Sequence, residues 1–246
     1  MNKMICAAVV VALAGAANAG SGSFYADNFG ASADGGDLAA PFADAGFFHL
    51  DIMGVTVSND ATNLYFDIQM NADLDATNWG KYIVGMDTGA NAGDNSTDPG
   101  SWNRNVDWGR GITDFLGTWA DDGGSGVGGE LRQFDGASWG LTDATYIGGG
   151  LIGGSDANHA SGVQSIWVNM AALGLSVGDT VEFDVFSTGG SGGDPGVDHL
   201  SRFDESTSDW DVQSVAGQFL SYTIVPTPSS IALLGLGGLA AIRRRR

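Results

Sequence analysis

Cysteine is almost absent from these 246 residues, since the single Cys6 lies within the first nineteen. No disulfide holds the remainder of the chain together, so its stability has to come from a buried core, with or without help from metal. Basic residues are nearly as scarce. Between residues 20 and 225 only Lys81, Arg104, Arg110, Arg132 and Arg202 are cationic, against twenty-nine Asp and Glu. That balance excludes nucleic acid as a partner, because binding it rests on Lys and Arg that neutralise phosphates. It also argues against docking of this region on anionic lipid heads. Histidine is limited to His49, His159 and His199, none in a metal-binding motif, and no nucleophile elbow stands out. Carboxylate pairs are inevitable among so many acids and carry no weight. No catalytic residue is assigned, and the chain is not expected to be an enzyme.

Long apolar runs are missing too. The two ends carry short ones of different kinds. Met1-Asn2-Lys3 is a positive start, Ile5 to Ala14 is apolar, and Ala17-Asn18-Ala19 is an A-x-A cleavage site. These are the parts of a secretory signal peptide, expected to be cut after Ala19 so that the mature chain begins at Gly20. At the other end, Val225-Pro226-Thr227-Pro228-Ser229-Ser230 precedes twelve residues, Ile231 to Ile242, that are all Ile, Leu, Ala or Gly. As a helix this run is roughly 18 Å long, short for a hydrocarbon core of about 30 Å. Serines at one end and snorkelling arginines at the other make it a marginal membrane span. Arg243, Arg244, Arg245 and Arg246 stop transfer and mark the cytoplasmic side.

The order of these parts, a proline motif, a short apolar helix and a terminal arginine cluster, resembles the PEP-CTERM sorting signal of bacterial surface proteins. The same tail is also known as an ice-binding protein C-terminal domain, a label that says nothing of ice binding here. The resemblance covers residues 225–246, with Thr227 standing where the family motif has Glu. It implies an exosortase-like membrane transpeptidase as partner, cutting near Val225, Pro226, Thr227 and Pro228. The chain is then expected to be exported, held in the membrane by its tail, and released to the cell surface or extracellular matrix.

Residues 20–224 suit a single all-β domain. The run from His49 to Val57 alternates, and the turn Ser58–Asn63 leads into Leu64–Met70, which makes a hairpin. Further strands are expected at Lys81–Met86, Ile112–Trp119, Glu130–Phe134, Thr142–Ile147, Val163–Asn169, Thr180–Ser187 and Gln218–Val225. Only Met170–Leu173 suggests a helical turn. Gly/Asp/Ser-rich loops at 87–101, 121–129 and 188–199 are flexible by composition unless a ligand orders them. Many short strands without a fixed repeat favour an antiparallel, jelly-roll-like β-sandwich over a propeller. The hairpin segments, with Tyr82–Thr88, Ala171–Gly174 and Val177–Thr180, resemble DOMON and family-nine carbohydrate-binding-module-like domains. The first expectation for the sandwich is a structural or adhesive role; the resemblance implies the alternative, a sandwich that binds exopolysaccharide sugars, with or without calcium, and without catalysis.

Two kinds of site follow from the residues. The loop Asp87–Asp98 is dense in oxygen donors, and Asp87, Asn91, Asp94 and Asp98 are the candidates for calcium, which takes about six to eight oxygens. It is not an EF-hand, because counted from Asp94 the glycine falls late, at Gly100, and Asn105 occupies the acid position. Side-chain-capped turns explain the same composition. The stretch Gly189–Asp198 begins like a calcium-binding nonapeptide but has Gly196 at the apolar position and no second copy. The second candidate is Trp102-Asn103-Arg104-Asn105-Val106-Asp107-Trp108. Flat indole faces stack on sugar rings, and Trp102, Arg104, Asp107 and Trp108 are the glycan-binding candidates, with extracellular polysaccharide as the partner. Tryptophans that cover the ends of a sandwich core account for the same spacing.

Overall fold

The hairpin is where alternation is cleanest. Strand β2 (Ile52–Asn59) pairs with β3 (Asn63–Met70), whose Leu64, Phe66, Ile68 and Met70 all point inward. Asp60 holds the turn: its Oδ1 accepts the Thr62 and Asn63 amides, and its Oδ2 accepts the Tyr65 hydroxyl. The expected start at His49 is corrected. Phe48–Leu50 forms a 3-10 turn that buries His49 and Leu50, and pairing begins at Ile52. This computed structural model describes residues 22–27, 37–76, 79–95, 102–120 and 127–227. Ala17, Ala19, Asp98, Pro228, the run 231–242 and Arg243 to Arg246 lie outside the described residues. Among the described residues, no helix is long and apolar enough to cross a membrane.

Two antiparallel sheets pack into a sandwich. The first joins β1 (Ser23–Ala26), β2, β3, β10 (Val163–Asn169) and β9 (Ile152–Ser155) in that order. The second runs β12 (Asp198–His199), β11 (Thr180–Thr188), β4 (Lys81–Asp87), β6 (Asp114–Trp119), β7 (Gly128–Phe134) and β8 (Trp139–Ala144). Strand β14 (Leu220–Thr223) pairs with the other half of the β11 edge. A two-residue parallel pair, β5 (Val106–Asp107) with β13 (Ser214–Val215), lies apart from both sheets.

The main core lies between the sheets, with Val55, Val57, Leu64, Phe66 and Ile68 facing Val84, Leu116, Leu131, Phe183 and Val185. The inward Gln164 of β10 is a polar exception, and it is satisfied. Its amide donates to the Thr118 hydroxyl at 2.7 Å, which donates in turn to Gly128 O, while His159 Nε2 meets its Oε1 at 2.6 Å. Such complete pairing is what makes a buried amide tolerable.

Strand β4 reads Tyr-Ile-Val-Gly-Met, apolar on both faces, as a doubly covered strand should be. Its outward Ile83, with Phe115 of β6 and Phe186 of β11, builds a second core against Trp108, Val106, Ile112 and Ala216. The indole of Trp108 lies directly on Gly85, where an added Cβ would meet the ring at 2.3 Å. A third cluster closes one end with Leu38, Phe42, Leu50 and Val197. There His49 packs edge-on to Trp79 at 4.3 Å, and burial lowers its imidazole pKa to about 4.

The C-terminal end of the sandwich is clasped by Asn59. Its Nδ2 donates to Val225 O at 2.9 Å, and its Oδ1 accepts the Val225 amide and the Tyr222 hydroxyl. Of the residues expected to form a sorting motif, Val225 is half-buried, Pro226 exposed and Thr227 buried.

Strand limits shift where turns intervene. The strand expected at Thr142–Ile147 is β8, three residues earlier, because Asp135 Oδ1 caps Ala137 and Ser138 and Ile147 turns back onto Ala144 O. Met170–Leu173 does turn, with the Leu173 amide donating to Met170 O at 3.1 Å.

Candidate functional site

The outward face of β4, β6 and β7 carries the groove that best suits a ligand. Register places Lys81 opposite Trp119 and Gly117 opposite Glu130, while Arg132 lies across from Phe115. Trp102 comes over this face from the loop that precedes β5. Its indole rests on Gly117, where a Cβ would meet the ring at 2.5 Å, and it packs 5.3 Å from Phe115 and 6.0 Å from Trp119. Lys81, Trp102, Arg104, Trp119, Glu130 and Arg132 then surround an open groove of about 360 Å³.

Glu130 organises the floor. It accepts hydrogen bonds from Trp102 Nε1 at 2.9 Å, Arg132 Nε at 2.8 Å and the Tyr146 hydroxyl at 2.6 Å. Burial alone would raise its pKa, but the three donors outweigh that and hold the carboxyl below its usual range. Arg104 sits 5.5 Å from the Trp102 ring centre, donates to Ser191 O, and lies 3.9 Å from Asp194. Three of the five cations between residues 20 and 225 therefore meet here, beside two half-buried indoles. Indole faces accept the flat side of a sugar ring, and guanidinium and ammonium groups suit carboxylates.

Of the glycan candidates, the structure brings Trp102 and Arg104 to this groove and sends the other two elsewhere. Trp108 is 1% exposed, packed 5.2 Å from Phe186, so its faces are closed to any ligand. Its role is corrected to core. Asp107 caps the next turn by accepting the Gly109 amide at 2.9 Å. The extended backbone at β5 turns successive side chains to opposite sides, which spacing in sequence did not reveal. Lys81, Trp119, Glu130 and Arg132 were not singled out, because only strand register brings them beside Trp102.

Of the calcium candidates in the 87–98 loop, Asp87, Asn91 and Asp94 are each engaged in other contacts. Asp87 accepts from Arg110 and the Gly89 amide, Asn91 donates to Phe134 O, and Asp94 accepts from Trp139 Nε1. These are turn caps and loop ties, and Asp98 lies outside the described residues. The glycine-rich 188–199 loop is likewise tied down, with the Gly193 amide donating to Asn103 O and Asp194 O accepting from Asn105. Gly189-Gly190-Ser191-Gly192-Gly193 does spell the Gly-x-Ser-x-Gly pattern of a nucleophile elbow, against the expectation above. It leads from β11 into this loop rather than into a helix, and lacks the context that makes Ser an elbow nucleophile.

One constellation was wholly unforeseen. His199 Nδ1 meets Asp184 Oδ2 at 2.6 Å, and its Nε2 meets the Ser214 hydroxyl at 3.1 Å. This is the connectivity of a Ser–His–Asp triad. All three side chains are completely buried, and Ser214 Oγ accepts the Gly196 amide. No substrate reaches a nucleophile closed in this way, so the network joins β11, β12 and β13 instead.

No protein-family model and no curated protein matches this chain.

Proposed function

We propose that this is an exported surface or matrix protein, delivered by its C-terminal tail, whose sandwich binds acidic polysaccharide. The observation that carries the binding half is the groove: Trp102 and Trp119 flanked by Lys81, Arg104 and Arg132 on a chain otherwise dominated by acids. On such a chain a local excess of cations counters the general repulsion of an anionic polymer. Indoles then supply stacking area, and Arg132, held by Glu130, presents a fixed fork.

Affinity electrophoresis in gels containing polygalacturonate or a neutral glucan tests this. The folded chain should be retarded by the carboxylated polymer, less so as salt rises. Trp119→Ala and Arg132→Ala should each weaken retardation at least tenfold, about 1.4 kcal/mol, with unchanged circular dichroism. Equal mobility in every gel would leave a structural or adhesive sandwich without a sugar ligand. The delivery half rests on the signal peptide, the proline motif, the apolar run and the arginine cluster. Mass spectrometry of the exported chain should find Ile231–Arg246 removed, and an intact Arg246 would refute cleavage.

A further inference from the structure

We propose that Asp27, Asp37 and Asp198 hold a calcium ion that ties the N-terminal arm of the sandwich to β12. The three residues come from distant parts of the chain: just after β1, just before the short helix Ala40–Ala43, and the first position of β12. All three are buried, and a carboxylate oxygen from each lies within 4.8 Å of the others. Two oxygens on one calcium, each about 2.4 Å from the ion, span that distance.

Crowded acids alone would mean little in so acidic a chain. What distinguishes this cluster is that two of its buried oxygens, one on Asp37 and one on Asp198, lack partners among the described residues. Asp198 is 1% exposed; its Oδ2 accepts the Ile52 amide at 2.6 Å, and its buried Oδ1 has no hydrogen-bond partner among the described residues. Asp37 is 8% exposed, and its Oδ2 is buried and equally without a partner among the described residues. A buried carboxylate oxygen left without a donor is costly, and buried charges are normally paired or coordinate metal. The charges that act most strongly on the pair are themselves acidic: Asp27, Asp51, Asp204 and Glu205. Burial and these neighbours push the Asp37 carboxyl up to about 6 and Asp198 well above the usual range. A divalent cation would relieve both the repulsion and the missing hydrogen bonds.

The donors choose the metal. Three carboxylates without His or Cys are hard oxygen ligands, unsuited to zinc or copper. Magnesium keeps several waters and usually takes one or two carboxylates, whereas calcium accepts a larger protein-built oxygen shell. The architectural gain is that of a cross-link. In a sandwich with no cysteine, an ion bridging residues 27, 37 and 198 closes long loops, as a disulfide would.

The test uses the full chain, stripped with EDTA and titrated calorimetrically with calcium chloride. One ion should bind per chain, and a hundredfold excess over Kd should raise Tm by roughly 5–10 °C. Asp198→Asn and Asp37→Asn should each weaken calcium binding at least tenfold, while Asp94→Asn in the 87–98 loop leaves it unchanged. The calcium-free Asp37→Asn chain should melt no lower than the calcium-free parent, because a like charge has been removed; a purely structural carboxylate would give the opposite. Asp37 is the most exposed of the three, so this variant keeps the test open even where Asp198→Asn fails to fold. Absence of binding heat and of any Tm change at millimolar calcium would overturn the site. Full affinity retained in the Asp37 variant would overturn it too, and magnesium binding as tightly as calcium would overturn the choice of ion.

Discussion

A Trp108→Ala chain is expected to lose about 3–5 kcal/mol of stability. Trp108 is the largest of the fully buried side chains, and it closes the outward face of the second sheet by lying on Gly85 between Phe186 and Phe219. Alanine leaves a cavity that Gly85 is too small to fill, and the strand backbone is too constrained by pairing with β6 and β11 to collapse into it. Urea denaturation should show a lower midpoint at an unchanged slope. Trp102→Ala makes the control, since its indole is half-buried at the groove. That change should cost less stability and mainly lower retention by acidic polymer. If the two variants lost equal stability, the division between core tryptophan and ligand tryptophan would be wrong.

The second large effect is expected at His199. Removing its ring in His199→Ala strips Asp184, completely buried, of its side-chain partner. Removing one side of a buried hydrogen-bonded pair costs the desolvation of the group left behind, about 3 kcal/mol for a carboxyl group that stays out of water. Asp184 Oδ1 still accepts the Val185 and Ser201 amides, which softens the loss without removing it. Ser214→Ala should cost less, about 1–3 kcal/mol, the penalty of leaving the Gly196 amide unsatisfied. Thermal unfolding of the two variants gives this order directly. The same proteins discriminate structure from catalysis: the parent should not turn over activated esters. Turnover that disappears in Ser214→Ala would make the buried network an active site after all.

Where the sequence alternates cleanly, strands are legible. Val163–Asn169 is found at the limits its pattern implies, and the Leu64–Met70 run begins one residue earlier, because the period of two alone sorts side chains between core and solvent. Ile152–Ser155 was not foreseen, since Gly153 and Gly154 carry no pattern and pair only because β10 supplies an edge. Two-residue pairs such as β5 with β13 have no periodicity to detect. The candidate groove was half legible. Trp102 and Arg104 stood out by local composition, whereas Glu130 and Arg132 looked like ordinary exposed positions of a strand.

Composition and local pattern thus determined the all-β class, the hairpin, the absence of disulfides, and the unusual ends on which the delivery proposal rests. These depend on residue type and near neighbours, so a linear reading suffices. Only the tertiary structure decided which tryptophan is buried and which faces the groove, because that depends on how a short loop twists over a sheet formed from remote segments. It also decided where the acids meet. In the oxygen-rich 87–98 loop, Asp87, Asn91 and Asp94 spend their side chains on local turns and on neighbouring strands, while Asp27, Asp37 and Asp198, unremarkable in sequence, converge inside the fold. Burial gives those three carboxylates their chemistry, and burial is a property of the assembled sheets.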